Sequence, residues 1–422
     1  MYRRQRWTPV KGTSSRIRDP GERLAVSSFD MASRVLVRLS HGLGLDRPAP
    51  VPPPAAWRDV LVLRLDRIGD VLMCAPALAE LREAAPRARI RLAVGGWSEP
   101  LARSLPVDEV LVWSAPFSGR PGEPALSWAE LWAQARPLRR EPIDLGLDLQ
   151  GDPRAALLLW AAGAKARVGY ANAGGGHLLT KLVPLDETLS WVEQNRRAVA
   201  VATGRDPGPG PRPLDPLTAE DHAFAEAFLG GRGLLARRPL VGLHPSGGRR
   251  VKQWDLGRWR ELARRLGEEF KATVLVTGSV SDRPLFAEVA HGLVPAPLDL
   301  TGQLDLRQTL AVLARLDLFL SSDTGPMHLA CAAGTPSVSL FGPSDPVRYF
   351  SGGALDGHPE RHLVVRSELW CAPCNRIRRP PRECDGGEPP ECLALLSVER
   401  VHGAAASLLR AGGGFPRRGG AR

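Results

Sequence analysis

Long apolar runs are missing from this chain of 422 residues: none reaches the roughly 18 consecutive apolar residues of a membrane-crossing helix. The opening MYRRQRWTPVKGTSSRIRDP also lacks the apolar core of a secretion signal. The expectation is a cytoplasmic protein, at most working at the inner face of the cytoplasmic membrane. Aromatic residues make up only 6 %, which leaves few platforms for stacking bases, and no nucleic-acid recognition motif occurs. No Walker spacing is found, which disfavours a P-loop NTPase. Positive charge, by contrast, is plentiful: the net charge of +11 is concentrated visibly at MYRRQR, RIRRPPRE and FPRRGGAR. That balance suits an anionic partner such as a phosphorylated substrate, an acidic lipid or nucleic acid, and it equally suits a merely soluble, arginine-rich protein.

The organisation is modular. Residues 1–57 read as a basic extension that ends in the proline-rich linker RPAPVPPPAAW. Within it, GERLAVSSFDMASRVLVRLSHGLG has helical apolar spacing and bears arginines, so it either packs on its own domain or lies on an anionic membrane surface. From Val60 onward strands alternate with helices: DVLVLRL, ARIRLAVGG, VDEVLVW and DLGLDLQG are strands, and ALAELREAAP and PRAALLLWAAGAK are helices. A second alternating block starts at RPLVGLHPSGG. This pattern predicts two Rossmann-like α/β domains facing a central cleft, spanning 58–205 and 239–365, with 206–238 as linker and connecting helix. Residues 366–411 form a cysteine-containing segment and terminal helix, and 412–422 a flexible basic tail.

Candidate chemistry collects just after strands, at Asp70, His244 and Asp323, where ligands of open α/β sheets bind. In SSDTGPMHLACAAG, Asp323 and Thr324 are good capping residues, Gly325 permits an unusual backbone angle, Pro326 suits the first helical position and Gly334 ends the helix. The free amides of such a helix start attract phosphate, with His328 one turn further on. The stretch GLHPSGGRRVK places His244, Ser246, Gly247 and Lys252 after a strand, offering a hydroxyl, unhindered amides and a cation to a diphosphate. In RLDRIGD, Asp66 and Asp70 compete as general base, and Gly69 lets a ligand approach the backbone beside Asp70. For Asp66 the alternatives are a salt bridge to Arg64 or Arg67, or a helix cap. LDLQGDPR adds Gln150 and Arg154, the latter either gripping an acceptor phosphate or carboxylate or forming a structural ion pair.

Four ordered blocks, RLDRIGDVL, DLGLDLQGDPRAALLLWAAGAKARVGY, GLHPSGGRRVKQWDLGRW and SSDTGPMHLACAAGTPSVSLFGPSDP, resemble those of the lipopolysaccharide heptosyltransferases, glycosyltransferase family 9. The resemblance covers residues 58–402. It implies a GT-B architecture with an N-terminal acceptor domain and a C-terminal nucleotide-sugar domain, and inverting transfer of a heptose from an ADP-sugar to an anionic glycolipid acceptor. No cofactor or catalytic metal is required in that reading. By motif, Asp70 is the base, and Lys252 with the Thr324 and Gly325 amides stabilises the departing diphosphate. Asp323 holds sugar hydroxyls, His244, Ser246, Gly247 and His328 complete the donor side, and Asp66, Gly69, Gln150 and Arg154 belong to the acceptor side.

Cys371, Cys374, Cys384 and Cys392 cluster as C-x2-C and C-x7-C, compatible with a structural zinc, with disulfides, or with free thiols. Cys74 and Cys331 fall in helices as buried thiols. Two further readings stay open: a glycosyltransferase of the same fold using a UDP- or GDP-sugar, and, from a different class, a basic nucleic-acid-binding protein. Block order argues against a nucleotide-sugar epimerase.

Overall fold

A computed structural model describes residues 20–44, 46, 48–118, 125–213, 215–377, 380, 384 and 389–411. The basic start at 1–19 and the tail at 412–422 lie outside the described residues. Twelve strands form two parallel sheets. The first takes β1 (Asp59–Arg64), β2 (Arg89–Val94), β3 (Glu109–Val112), β4 (Leu145–Asp148), β5 (Ala166–Gly169) and β6 (Lys181–Leu182) in the order β3-β2-β1-β4-β5-β6. The second takes β7 (Leu240–His244), β8 (Thr273–Gly278), β9 (Leu298–Thr301), β10 (Leu318–Ser322), β11 (Ser337–Phe341) and β12 (His362–Arg366) in the order β12-β11-β10-β7-β8-β9. Each sheet therefore runs outward from its first strand and reverses beside it, between β1 and β4 in one and between β7 and β10 in the other. Strands such as DVLVLR and LFLSS are buried along their whole length because helices cover both faces, which is why their apolar runs do not alternate.

The helix Pro20–Gly42 is docked on the first domain. Val37 is buried against Leu61 and Trp160, Ser33 Oγ lies 2.9 Å from His177 Nε2, and the Gly175 amide donates to Asp30 at 2.9 Å. Just beyond it, Asp46 pairs with the buried Arg167 at 3.2 Å and accepts from the Trp160 indole at 2.9 Å. Of the two readings of this helix, packing on its own domain is thus realised on one of its faces. The helix Ala219–Gly230 connects the domains, with Arg307 clamping Asp221.

The two domains share an apolar cluster in which Leu72 and Leu101 of the first pack with Leu310, Leu313 and Leu329 of the second. At its edge the short helix Ile68–Leu72 meets the helix Gly325–Ala333. A Cβ on Gly69 would fall 2.3 Å from His328 Cδ2. The missing side chain of Gly69 makes room for the second domain's histidine. His328 has little freedom to yield, being buried with Nδ1 2.9 Å from Ser351 Oγ. Gly69→Ala is therefore expected to destabilise the protein by about 1–3 kcal/mol through overpacking. In a His328→Ala background the same change should cost at least about 1 kcal/mol less, by a double-mutant cycle in denaturant unfolding. Equal costs in both backgrounds would refute the contact.

Candidate active site

The first domain's edge is organised around Arg64, the last residue of β1 and almost wholly buried. Its guanidinium donates to the Leu149 carbonyl, pairs with Asp66 at 2.8 Å and with Asp70 at 3.1 Å, and lies 5.5 Å from the Trp191 ring centre. Burial pushes Asp66 up to about 7 despite the attraction of Arg64, and the charge of Asp70 adds to the rise. So the salt bridge that competed with the base role for Asp66 is the one found. Asp70 occupies the third position of its short helix, where a carboxylate oxygen accepts from the Arg67 amide at 3.4 Å. Its charge is felt by His328 and Tyr349 of the second domain.

On the opposite edge, the loop after β7 folds back on itself. A Cβ on Gly247 would lie 2.6 Å from the Lys252 carbonyl carbon, so the glycine permits the tight return that presents Lys252. Lys252 Nζ reaches Asp323 at 2.7 Å. Burial acts to raise the Asp323 pKa, but the Lys252 ion pair outweighs it and holds the carboxyl below its ordinary range. Thr324 stands at the cap position without capping; its hydroxyl donates instead to the Ser322 carbonyl at 3.2 Å. Two details differ from the sequence reading: Gly325 has no left-handed backbone angle, and Pro326 is the second helical residue rather than the first. A Cβ on Gly325 would meet nothing nearer than Ile68 at 3.8 Å. Gly334 ends the helix in the left-handed region, as its type suggests.

Several candidates are engaged inside their own domain. His244 Nδ1 lies 3.2 Å from both the carbonyl and the hydroxyl oxygen of Thr277, and Ser246 hydrogen-bonds Asp282. Burial lowers the His328 pKa, which favours a neutral ring. Gln150 accepts from the Leu65 amide at 3.2 Å, which braces the RLD loop. Arg154 is held by both oxygens of Asp152, at 2.8 and 2.6 Å, and lies 4.1 Å from the Phe117 ring centre. The structural ion pair expected for Arg154 is thus present, with a carboxylate two residues away on the same helix start.

Sequence reasoning missed Trp191, Arg348 and Tyr349. The Trp191 ring lies 5.2 Å from the Arg348 guanidinium, and its indole bonds the Tyr349 hydroxyl, joining the domains over the Asp70 side of the cleft. The one available signal was that VRYF directly follows the GPSDP block.

The four clustered cysteines line a single cavity of about 50 Å3, together with Val251 and Pro343. No disulfide joins them among the described residues. Burial, with its three thiol neighbours, pushes Cys392 up to about 12. Among the described residues no group of three or more potential ligands is arranged to hold a metal. The four thiols nevertheless converge on one cavity, the arrangement from which a structural zinc was one of the expectations.

Asp148 closes β4 beneath this network. One oxygen accepts from the Gln150 and Gly151 amides at 2.9 and 3.1 Å, and burial pushes the carboxyl up to about 7. A folded-state value above the unfolded one means that the native state keeps this proton longer. Its contribution to stability is therefore present at low pH and lost as pH rises from about 4 through 7. Asp148→Asn should remove that slope, so that variant and parent converge or cross by on the order of a few kcal/mol between pH 4 and 8. A difference in unfolding free energy that stays constant over this range would count against the assignment.

Residues 131–383 match the family model of glycosyltransferase family 9 (heptosyltransferase). The chain is 29 % identical over 364 residues to lipopolysaccharide heptosyltransferase 1 of Pseudomonas aeruginosa, covering 81 % of this chain and 95 % of that protein. It is 25 % identical over 308 residues to the lipopolysaccharide core heptosyltransferase OpsX of Haemophilus influenzae, covering 71 % and 84 %. Among solved structures, a family 9 glycosyltransferase from Veillonella parvula superposes with a TM-score of 0.69 at 22 % identity, over 86 % of this chain and 100 % of that one. ADP-heptose lps heptosyltransferase II of Escherichia coli does so with 0.64 at 22 % identity, over 84 % and 99 %. The two facing sheets are a GT-B fold, and with its family match spanning more than half the sequence the chain belongs to glycosyltransferase family 9 and is a glycosyltransferase.

Proposed function

We propose that this cleft moves a heptose from ADP-heptose to a lipopolysaccharide core or similar anionic glycolipid, with inversion and without a catalytic metal. Residues 58–205 then form the acceptor domain and 239–365 the nucleotide-sugar domain, and the enzyme works in the cytoplasm beside the inner membrane where its acceptor lies. The observation that carries the reading is the facing of two sheet edges. Asp70 stands on one, and the Lys252–Asp323 pair with the Thr324 and Gly325 amides stands on the other. The names of the curated relatives supply the sugar and the acceptor.

In this mechanism an acceptor hydroxyl attacks the anomeric carbon while Asp70 takes its proton, and the bond from that carbon to the diphosphate oxygen breaks with its electron pair leaving on ADP. Negative charge grows on the leaving diphosphate, where Lys252 and the helix-start amides stabilise it. Asp323, kept ionised by Lys252, orients the cation and accepts from sugar hydroxyls.

Thermal unfolding with ADP, UDP, GDP and CMP separates this reading from a UDP- or GDP-sugar enzyme of the same fold. ADP alone should stabilise the protein, by about 2.7 kcal/mol at a hundredfold excess over its dissociation constant. Lys252→Ala should weaken that response. Asp70→Asn should retain it while transfer falls by roughly 10²–10⁴. Undiminished turnover in the Asp70 variant would remove it as the base, and stabilisation by UDP or GDP instead would overturn the heptose donor.

A further inference from the structure

The helix Pro20–Gly42 lies outside the family match, and its docking on the first domain accounts for only one of its faces. Ser33, Val37 and Ser40 are buried on the inner side. Around the opposite side run Leu24, Met31, Val35, Leu39 and Leu43, exposed by 70, 70, 54, 60 and 72 %. Their spacing of seven, four, four and four residues places them on one stripe of the helix. Other exposed large apolar side chains stand apart from this stripe, among them Leu36 on another face of the same helix, Trp128 and Leu182 on the first domain, and Val294, Val347 and Trp370 on the second domain and its terminal segment. A continuous apolar stripe on an outward helix face marks an interaction surface.

Charge indicates the partner. Arg34 and Arg38 are exposed one turn apart along one flank of the stripe. In the sequence before Pro20 stand Arg3, Arg4, Arg6, Lys11, Arg16 and Arg18 against the single acid Asp19. The segment before Pro20 thus contributes five net positive charges, and Arg417, Arg418 and Arg422 add three after Ala411, so these two ends hold eight of the chain's eleven. No described helix is long and apolar enough to cross a membrane. A second copy of the chain is a poor occupant, because a twofold contact along this stripe would bring Arg34 and Arg38 against their own counterparts.

We propose that this stripe seats in the headgroup region of an anionic lipid bilayer, the apolar side chains entering the acyl boundary while Arg34 and Arg38 meet lipid phosphates. The inner face, fixed to the first domain through Asp30, Ser33 and Val37, makes the helix a mount. The proposal is independent of which sugar is transferred.

The test is co-sedimentation of the full chain with phosphatidylcholine vesicles, with and without phosphatidylglycerol and free of any glycolipid acceptor. Binding is expected to the anionic vesicles, to weaken with salt, and to fall at least roughly tenfold in the double variant Val35→Asp, Leu39→Asp. Arg34→Glu with Arg38→Glu should lower binding to anionic vesicles by a similar factor. All four positions are exposed, and circular dichroism confirms that the variants stay folded. Undiminished vesicle binding by the Val35, Leu39 variant would overturn the proposal. So would absence of binding to anionic vesicles, and a dimer in sedimentation that this variant dissociates would assign the stripe to a second copy instead.

Discussion

A buried guanidinium governs the first domain's half of the cleft. Arg64 is 2 % exposed, and a cation so removed from water persists only where opposite charge and hydrogen bonds replace its hydration. Burial alone would weaken its hold on the proton, but Asp66 and Asp70 outweigh that effect. The Leu149 carbonyl, just past β4, ties the same group to the neighbouring strand. One side chain therefore staples β1 to β4 at the point where strand order reverses, and sets the spacing of both carboxylates. Asp148 and Gln150 support it from below by fixing the backbone after β4 and the Leu65 amide. Because two acids share a single cation, they cannot both be fully compensated. The cost appears at Asp66, while Asp70 is felt by the second domain's His328 and Tyr349.

The second sheet repeats the first one's topology, and with it the placement of chemistry. Lys252 follows β7 and Asp323 follows β10, the pair that flanks the second reversal point, just as Asp70 and Gln150 follow β1 and β4. Here the cation and the acid are balanced one to one. A diphosphate arriving at this edge finds an ammonium already oriented by a carboxylate, and shares it rather than having to gather a free lysine from solvent. Thr324, by leaving its cap position unused, keeps the helix-start amides available for the same ligand.

Strands buried on both faces, Gly-ended helices and the four motif blocks were legible because each is written in neighbouring residues. Thus DVLVLRL and LFLSS gave their own positions away, and so did the Gly334 cap. β5, β6 and β12 were less visible: four, two and five residues long, they owe their place to pairing with β4, each other's neighbours and β11 rather than to a long apolar run. At the site, the carboxylates, Lys252 and the helix start could be named from spacing, whereas their partners could not. Gly69 faces a histidine 259 positions later in the chain, and Trp191 meets Arg348 and Tyr349 only because the domains close on one another. Arg154 shows the converse, a short-range competitor at Asp152 that satisfies a residue whose type alone suggested ligand binding.

The same accounting bears on what the excess charge is for. Within the cleft the cations are already matched, Arg64 by Asp66 and Asp70, Lys252 by Asp323, and Arg154 by Asp152. Nearby Arg196 is likewise held by Glu80 and Glu193. A site built from such local neutralisation acts through orientation and short-range hydrogen bonds, with little net field projecting into solvent. The surplus arises at the two ends, adjoining in sequence a helix whose outer face is apolar at one end of the chain. Charge and exposed hydrophobicity thus coincide away from the reacting groups. That separation lets association with an acidic surface be tuned through the extension without disturbing the groups that face the cleft.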